Sequence, residues 1–196
     1  FRRDEERVEN PSRLPQANAP QVIPFSIGPD RQDSELHHVL QKPQVDEAEL
    51  GNAMKNIYRA YARDFTGAYA QFLRLCSQAD QLPLLFHCAA GKDRTGWAAA
   101  ALLTLLGVPE DKVYEDYLRS NEYILPAYKK VIDQFVEKGV DRQIPEAIFG
   151  VRKEYLDAAF DEMKKKYGSI EKYFSEGLGI GDEQQQAIRE LYLGSS

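Results

Sequence analysis

The sequence predicts an α/β fold with a helix-rich C-terminal half, and three observations carry this prediction. A short apolar run, Leu82 to His87, is too brief for a helix and is typical of a strand. The segment Thr95 to Leu106 follows it closely, is rich in Ala and Leu, and stops at Gly107, as a helix does. Helical patterns then continue as far as Leu193. The chain of 196 residues, 43% of them hydrophobic, suffices for a single domain over residues 1–196.

The other elements can be placed in chain order. Prolines between Phe1 and Pro29 predict loops around one strand, Val22 to Ile27. The spacing of Phe65, Tyr69, Phe72 and Cys76 is that of a helix face. Because a two-stranded sheet is marginal, Phe1-Arg2 is interpreted as the tail of a further strand whose start is missing. Further helices are predicted over Glu110 to Ser120, Glu122 to Lys138, Pro145 to Tyr167, Ile170 to Glu176 and Asp182 to Leu193.

The charge balance excludes two classes of partner. Thirty-one acidic and 25 basic residues give a net charge of −6, so the average surface repels nucleic acid and anionic membranes. The longest apolar run, Trp97 to Val108, falls well short of the ~18 residues of a membrane span. The run Lys164–Lys166 is interpreted as a solvated helix face. We therefore expect no nucleic-acid partner, no transmembrane segment and a monomeric protein.

The chain has two cysteines, Cys76 and Cys88, too few for a disulfide framework or a four-cysteine zinc site. Cys76 lies on the apolar face of a predicted helix and is interpreted as a core thiol. No metal site and no cofactor are expected. The chain opens at Phe1 without a methionine, so its N-terminal segment is expected to be missing. A reactive thiol favours a cytoplasmic location, with secretion or periplasmic export left open.

The most informative segment is His87-Cys88-Ala89-Ala90-Gly91-Lys92-Asp93-Arg94-Thr95-Gly96. A loop of this length between a strand and a helix can direct successive backbone N–H groups at an oxyanion, and the helix N-terminus adds its positive dipole end. Arg94 can donate two parallel hydrogen bonds to phosphate oxygens. The same positive field favours the thiolate form of Cys88. The predicted phosphate-binding residues are Ala89, Ala90, Gly91, Lys92, Asp93, Arg94 and Thr95.

Two other interpretations of this loop compete with a phosphate-binding loop that carries a nucleophilic cysteine. A nucleotide-binding P-loop needs glycine at position 86 and Ser or Thr at position 93, where this chain has Phe86 and Asp93. A purely structural cysteine followed by a helix cap would bury three charged residues without a ligand, at a high energetic cost. The segment therefore indicates a phosphate-binding loop with Cys88 as its nucleophile. In this interpretation Thr95 donates its hydroxyl to the sulfur, and His87 orients the loop.

The segment resembles the Cys-x5-Arg-Ser/Thr signature of the protein tyrosine phosphatase superfamily, in the form found in atypical bacterial, fungal and plant tyrosine and lipid phosphatases. The likeness extends to Phe1-Arg2-Arg3-Asp4-Glu5-Glu6, to Asp116–Asn121, and to Tyr167-Gly168-Ser169 with Leu178-Gly179. It implies the cysteine-phosphatase fold, a central mainly parallel sheet flanked by helices. It also implies an enzyme that needs no metal.

The resemblance leaves the general acid open. Many tyrosine phosphatases carry it in a Trp-Pro-Asp motif before the cysteine, whereas the one tryptophan here, Trp97, follows it. In the atypical family the loop aspartate, here Asp93, is the proposed acid. Asp64 is the second candidate. Lys92 matches a lysine found in inositol lipid phosphatases, where a further cation at the pocket rim favours a head group with several phosphates.

The predicted function is that of a protein-tyrosine phosphatase, which hydrolyses phosphomonoesters through a cysteinyl-phosphate intermediate. Its predicted catalytic residues are Cys88, Arg94 and Asp93. The expected substrate is a phosphotyrosine protein, with a phosphoinositide or dual-specificity phosphatase as the alternative. From another class, a phosphate-binding adaptor without turnover was considered, as was a sulfur-transferring cysteine loop. The presence of nucleophile, arginine and hydroxyl together favours the enzyme.

Overall fold

The computed structural model of the chain describes residues 1–14, 17, 19–28 and 34–194, and it is 67% helical. Most helices lie after the loop that contains Cys88. In chain order they are α1 (Asp4–Glu9), α2 (Glu35–Leu40), α3 (Glu47–Arg63), α4 (Thr66–Cys76), α5 (Arg94–Leu105), α6 (Glu110–Leu118), α7 (Ser120–Glu137), α8 (Gln143–Phe149), α9 (Lys153–Tyr167), α10 (Ile170–Lys172) and α11 (Asp182–Leu193).

Local sequence signals explain where several helices begin and end. The carboxylate of Asp46 accepts the backbone N–H of Glu49 at 2.9 Å and caps the start of α3. Gly107 follows the end of α5 with a φ of +79°, and Gly168 ends α9 with a φ of +84°. Both are backbone conformations that glycine adopts without steric cost. Helix boundaries are thus set largely by residues next to them in the chain.

The core forms where α3 packs along α9 and where α5 packs beside α6. Helix α5 is apolar on most sides and correspondingly buried, in keeping with its Ala- and Leu-rich sequence. Its Trp97 is fully buried, with ring centroids 5.2 Å from Phe160 of α9 and 5.9 Å from Tyr173. The loop before α5 is therefore carried by a helix that is fixed on several sides.

The expected central sheet is wrong, because no strand forms within the described residues. The segments Val22 to Ile27 and Leu82 to His87 form no ladder, and Pro24 and Pro83 have no N–H to give to one. The Phe1 nitrogen donates one hydrogen bond to the carbonyl oxygen of His87, at 2.8 Å. A pair of strands requires a series of such hydrogen bonds.

Aromatic packing brings the expected strands together instead. The ring of Phe1 lies 6.0 Å from that of Phe25, 5.9 Å from that of Phe86 and 5.2 Å from that of Phe72. Exposure alternates from Leu84 to Cys88, as in an extended chain, but Leu85 is 86% exposed rather than buried. Apolar contact thus orders these segments without hydrogen-bonded pairing.

The later helices follow the predicted segments with shifts at their ends. Helix α5 begins at Arg94, one residue early, and the predicted helix Pro145 to Tyr167 divides at Gly150 into α8 and α9. Helix α1 was not predicted, and Pro15 and Pro29 of the predicted loop region lie outside the described residues. In the part of the chain that is described, no helix is long and apolar enough to cross a membrane.

Replacement of Trp97 by alanine should lower the free energy of unfolding by about 3–5 kcal/mol, because the large cavity left among Phe160 and Tyr173 cannot fully collapse. Urea unfolding followed by circular dichroism measures this change. Tyr123 of α7 is 70% exposed, so Tyr123→Ala serves as the control and should change the value by less than about 0.5 kcal/mol. A Trp97→Ala protein as stable as the control would contradict the assigned core.

Candidate active site

Cys88 opens a tight loop that runs directly into α5. Its side chain is buried, and its sulfur accepts the backbone N–H of Gly91 at 3.2 Å. Gly91 has a φ of +73°, which a residue with a side chain adopts only with strain. The glycine therefore allows the loop to turn back over the sulfur.

Most other backbone N–H groups of this loop have no hydrogen-bond acceptor in the part of the chain that the structure describes. Among the described residues, those of Ala89, Ala90 and Lys92 through Thr95 donate to no protein acceptor. The N–H groups of Gly96 and Trp97 are the first to bond back into the helix, to the carbonyl oxygens of Lys92 and Asp93. A row of unused donors at the start of a 12-residue helix is suited to bind an oxyanion.

Arg94 is fixed by a bidentate ion pair with Glu6. Its two terminal nitrogens lie 2.6 and 2.8 Å from the Glu6 oxygens, and one also donates to the carbonyl oxygen of Phe1 at 2.9 Å. Burial disfavours the charged form of both residues, but the hydrogen bonds between their side chains outweigh this effect on their pKa values. They raise the pKa of Arg94 and, with the backbone N–H of Arg3, lower that of Glu6 to about 2.

Lys92 points away from solvent. It is only 5% exposed, and its ammonium donates to Asp93 Oδ1 at 3.1 Å and to two main-chain oxygens, Ile148 at 3.0 Å and Gly150 at 2.8 Å. An ammonium has three hydrogens to donate. All three have protein acceptors, two main-chain oxygens at the end of α8 and the Asp93 carboxylate, so the side chain is engaged with protein groups rather than presented at a pocket rim.

Asp93 lies between two donors that meet on the same oxygen. The Tyr58 hydroxyl donates to Oδ1 at 2.8 Å, beside the bond from Lys92, and the Tyr117 hydroxyl donates to that of Tyr58 at 2.7 Å. Asp93 Oδ2 accepts no hydrogen bond from the described residues, and the side chain is 20% exposed. One carboxylate oxygen is thus fixed and the other is open to a ligand.

Two further predicted residues lie at the ends of the loop, His87 directly before the cysteine and Thr95 directly after Arg94. The ring nitrogen Nδ1 of His87 lies 2.9 Å from the carbonyl oxygen of Cys88, which is the orienting contact expected for it. The hydroxyl oxygen of Thr95 is buried and has no hydrogen-bond partner in the described part of the chain. An unpartnered buried hydroxyl is costly, which indicates a group that acquires a partner with ligand or intermediate.

Asp64, the second acid candidate, lies at the C-terminal end of α3. Its carboxylate pairs with the guanidinium of Arg63 at 2.8 Å, and the side chain is about half exposed. The hydrogen bond from Arg63 holds the pKa of Asp64 below its usual value. Neither Asp64 nor Asp93 is among the residues that line the cavity at Cys88.

The cavity at Cys88 has a volume of about 350 Å³ and is lined by Arg2, Glu6, Asn10, His87, Cys88 and Ala89. Sequence reasoning placed Glu6 and Tyr117 in family-like segments without a role, and it did not single out Tyr58. Twelve acidic residues precede the loop, so the need of a buried arginine for an acid does not by itself identify Glu6. No sequence signal distinguishes Tyr58 from the other tyrosines of α3 and α6.

A loop that starts at a buried cysteine, ends at a paired arginine and offers N–H groups with no acceptor among the described residues has the geometry of a site that can bind an oxyanion. Comparison with known families agrees, since the tyrosine phosphatase family matches residues 1–194. The chain belongs to this family.

Three relatives extend the comparison. A triple specificity protein phosphatase, PtpB of Mycobacterium tuberculosis, is 30% identical over 213 positions, 94% of this chain and 76% of that protein. A candidate tyrosine-protein phosphatase of Cupriavidus necator is 32% identical over 146 residues, 74% of this chain and 52% of its own length. A tyrosine-protein phosphatase of Nostoc commune is 32% identical over 124 residues, 60% of this chain and 41% of its own. The chain thus spans about half the length of two of these relatives.

Glu6→Gln should destabilise the protein at neutral pH and lose this effect in acid. The folded pKa of Glu6, about 2, lies below its ordinary value of 4.5, so the stabilisation is fully present above pH 4.5 and disappears as the pH falls towards 2. The shift bounds the effect at about 3 kcal/mol. Chemical unfolding at several pH values measures it.

Glu5→Gln is the matched control, since Glu5 pairs with Arg3 and not with Arg94. A Glu6→Gln effect no larger than the control, or one independent of pH between 4.5 and 2, would contradict the assigned ion pair.

Proposed function

We propose that the chain is a protein-tyrosine phosphatase that hydrolyses phosphomonoesters through a cysteinyl-phosphate intermediate. The observation that carries this proposal is that the backbone N–H groups of Ala89, Ala90 and Lys92 to Thr95 have no acceptor among the described residues, around a buried sulfur that already accepts the N–H of Gly91. A phosphoryl group has the oxygens to accept those donors. Family membership and the names of the three relatives support the same activity.

The first step transfers the phosphoryl group to the enzyme. The Cys88 thiolate attacks phosphorus, an S–P bond forms, and the ester P–O bond breaks with its electron pair on the leaving oxygen. The loop N–H groups and the Arg94 guanidinium stabilise the charge on the remaining phosphoryl oxygens. Asp93 gives a proton to the leaving alcohol or phenol through its open oxygen, Oδ2.

The second step releases phosphate. Water attacks phosphorus while Asp93 takes one of its protons, the S–P bond breaks, and the electron pair returns to the Cys88 sulfur. The Thr95 hydroxyl donates to the departing sulfur, which gives that buried group the partner that it lacks among the described residues. In both steps Lys92 contributes its backbone N–H to the phosphate loop.

We infer phosphotyrosine as the principal substrate, in line with the family. A wider range that includes other phosphoproteins or phosphoinositides is the second candidate, favoured by the triple specificity in the name of the Mycobacterium relative. Rates measured side by side on phosphotyrosine peptides, phosphoserine peptides and inositol lipids distinguish the two.

Cys88→Ser should abolish turnover of an aryl phosphate while the loop still binds phosphate, because only the nucleophile is lost and Arg94 and the N–H groups remain. Steady-state assays and calorimetric titration with phosphate measure the two properties. Cys76→Ser, which replaces the other buried thiol, in α4, is the control and should retain activity. Turnover by the Cys88 variant would contradict the covalent mechanism, and a wild type that binds without turnover would favour the adaptor.

Asp93→Asn should cost more activity on poor leaving groups than on good ones. An alkyl or phenyl ester needs a proton as the bond breaks, whereas nitrophenol departs almost unaided, and a general acid contributes about 10²- to 10⁴-fold. Asp64→Asn, at the half-exposed second candidate, should cost little on either substrate. If the leaving-group dependence appears in the Asp64 variant instead, the acid is Asp64.

A further inference from the structure

A buried polar cluster lies behind the catalytic loop and contains Tyr117, Tyr58, Asp93 and Lys92. Hydrogen bonds run from the Tyr117 hydroxyl to that of Tyr58 at 2.7 Å, and from Tyr58 to Asp93 Oδ1 at 2.8 Å. Lys92 reaches the same oxygen at 3.1 Å. Tyr58, Tyr117 and Lys92 are each at most 5% exposed. The cluster therefore lies in the core, and only Asp93 extends towards the surface.

The tyrosines of the cluster act as donors. Burial, and after it the nearby Asp93 carboxylate, raises the pKa of Tyr58 well above its ordinary value, and burial likewise raises that of Tyr117. Both phenols stay protonated wherever the protein is folded. The O–H of Tyr58 therefore occupies one side of Asp93 Oδ1 at every working pH.

The position of Lys92 is fixed from a separate part of the chain. The carbonyl oxygen of Gly150 accepts a hydrogen bond from the Lys92 ammonium. Gly150 belongs to a bend that is held by two hydrogen bonds between Val151 and the Asn121 side chain of α7, at 2.9 and 2.8 Å. A Cβ atom on Gly150 would lie 2.8 Å from the carbonyl oxygen of Glu146 and 2.9 Å from Asn121 Oδ1. A side chain at position 150 would clash with both atoms, so the bend requires glycine, and its two hydrogen bonds with Asn121 hold it beside the ammonium.

We propose that Tyr58 and Lys92 are positioning residues that hold Asp93 by Oδ1 and leave Oδ2 to exchange the proton with substrate and water. The Lys92 side chain does not bind substrate phosphates. The inference rests on the proposed phosphatase function and on the role of Asp93 within it. A carboxylate fixed through one oxygen cannot rotate, which gives the transferring oxygen a defined place.

Tyr58→Phe tests the first half of the proposal. We expect kcat/KM on phenyl phosphate to fall about tenfold or more, with little change on p-nitrophenyl phosphate, because kcat/KM reports only the first step, in which Asp93 protonates the leaving group. Tyr155→Phe is the matched control: Tyr155 is also fully buried and packs against Tyr58, but its hydroxyl donates to the carbonyl oxygen of Ala147. The control should behave as wild type.

A double-mutant cycle separates positioning from loss of structure. In the Asp93→Asn background, Tyr58→Phe should add no further loss of kcat/KM, because the group that it positions is already gone. Additive losses, or an equal fall on both esters, would overturn the proposal. So would a Tyr58→Phe protein with the leaving-group dependence of wild type. A wild type inactive on both esters would contradict the proposed function itself.

Lys92→Met tests the second half. Inorganic phosphate, with one phosphoryl group, and pyrophosphate, with two, serve as competitive inhibitors. We expect the ratio of their two inhibition constants to be the same for Lys92→Met as for wild type. We expect kcat/KM to fall with the leaving-group dependence seen in Tyr58→Phe. Pyrophosphate binding weakened about tenfold, with phosphate binding unchanged, would instead show that the ammonium binds a second phosphoryl group. Thermal unfolding of each variant confirms that it is folded.

Discussion

The structure around Cys88 depends on one constraint: a loop that binds an oxyanion through its backbone must leave its N–H groups unpaired. Such a loop cannot be stabilised by its own N–H groups, since those of Ala89, Ala90 and Lys92 to Thr95 have no acceptor among the described residues and that of Gly91 donates to the Cys88 sulfur. Its conformation therefore rests on side chains. Lys92, Asp93 and Arg94 each bind a different part of the protein, and Gly91 supplies the turn that connects them to the cysteine.

Three consecutive charged residues are costly to bury, and the fold satisfies each with particular partners. Arg94 meets the carboxylate of Glu6, Lys92 meets carbonyl oxygens at the end of α8, and Asp93 meets the Tyr58 hydroxyl. These partners come from α1, α8 and α3, so helices distant in sequence converge on one loop. The same contacts that make the burial tolerable also set the direction of each functional group.

The phosphate loop could be predicted from the sequence because its signal is contiguous. Cys88, Arg94 and Thr95 lie within eight positions, and the loop enters a helix whose start was predicted to within one residue. The sheet was not predictable in the same way. Leu82 to His87 has the composition of a strand, but pairing depends on partners elsewhere, and Pro24 and Pro83 weaken the ladder that composition alone suggested.

By itself the sequence determined the helix that follows the loop and the identity of the candidate nucleophile and arginine, because these depend on neighbours in the chain. Only the tertiary structure decided where the charged side chains point. The bonds from Tyr58 to Asp93, from Lys92 to Gly150 and from Arg94 to Glu6 join residues 35, 58 and 88 positions apart. A long side chain such as Lys92 has many rotamers of similar energy, and packing against distant helices selects among them.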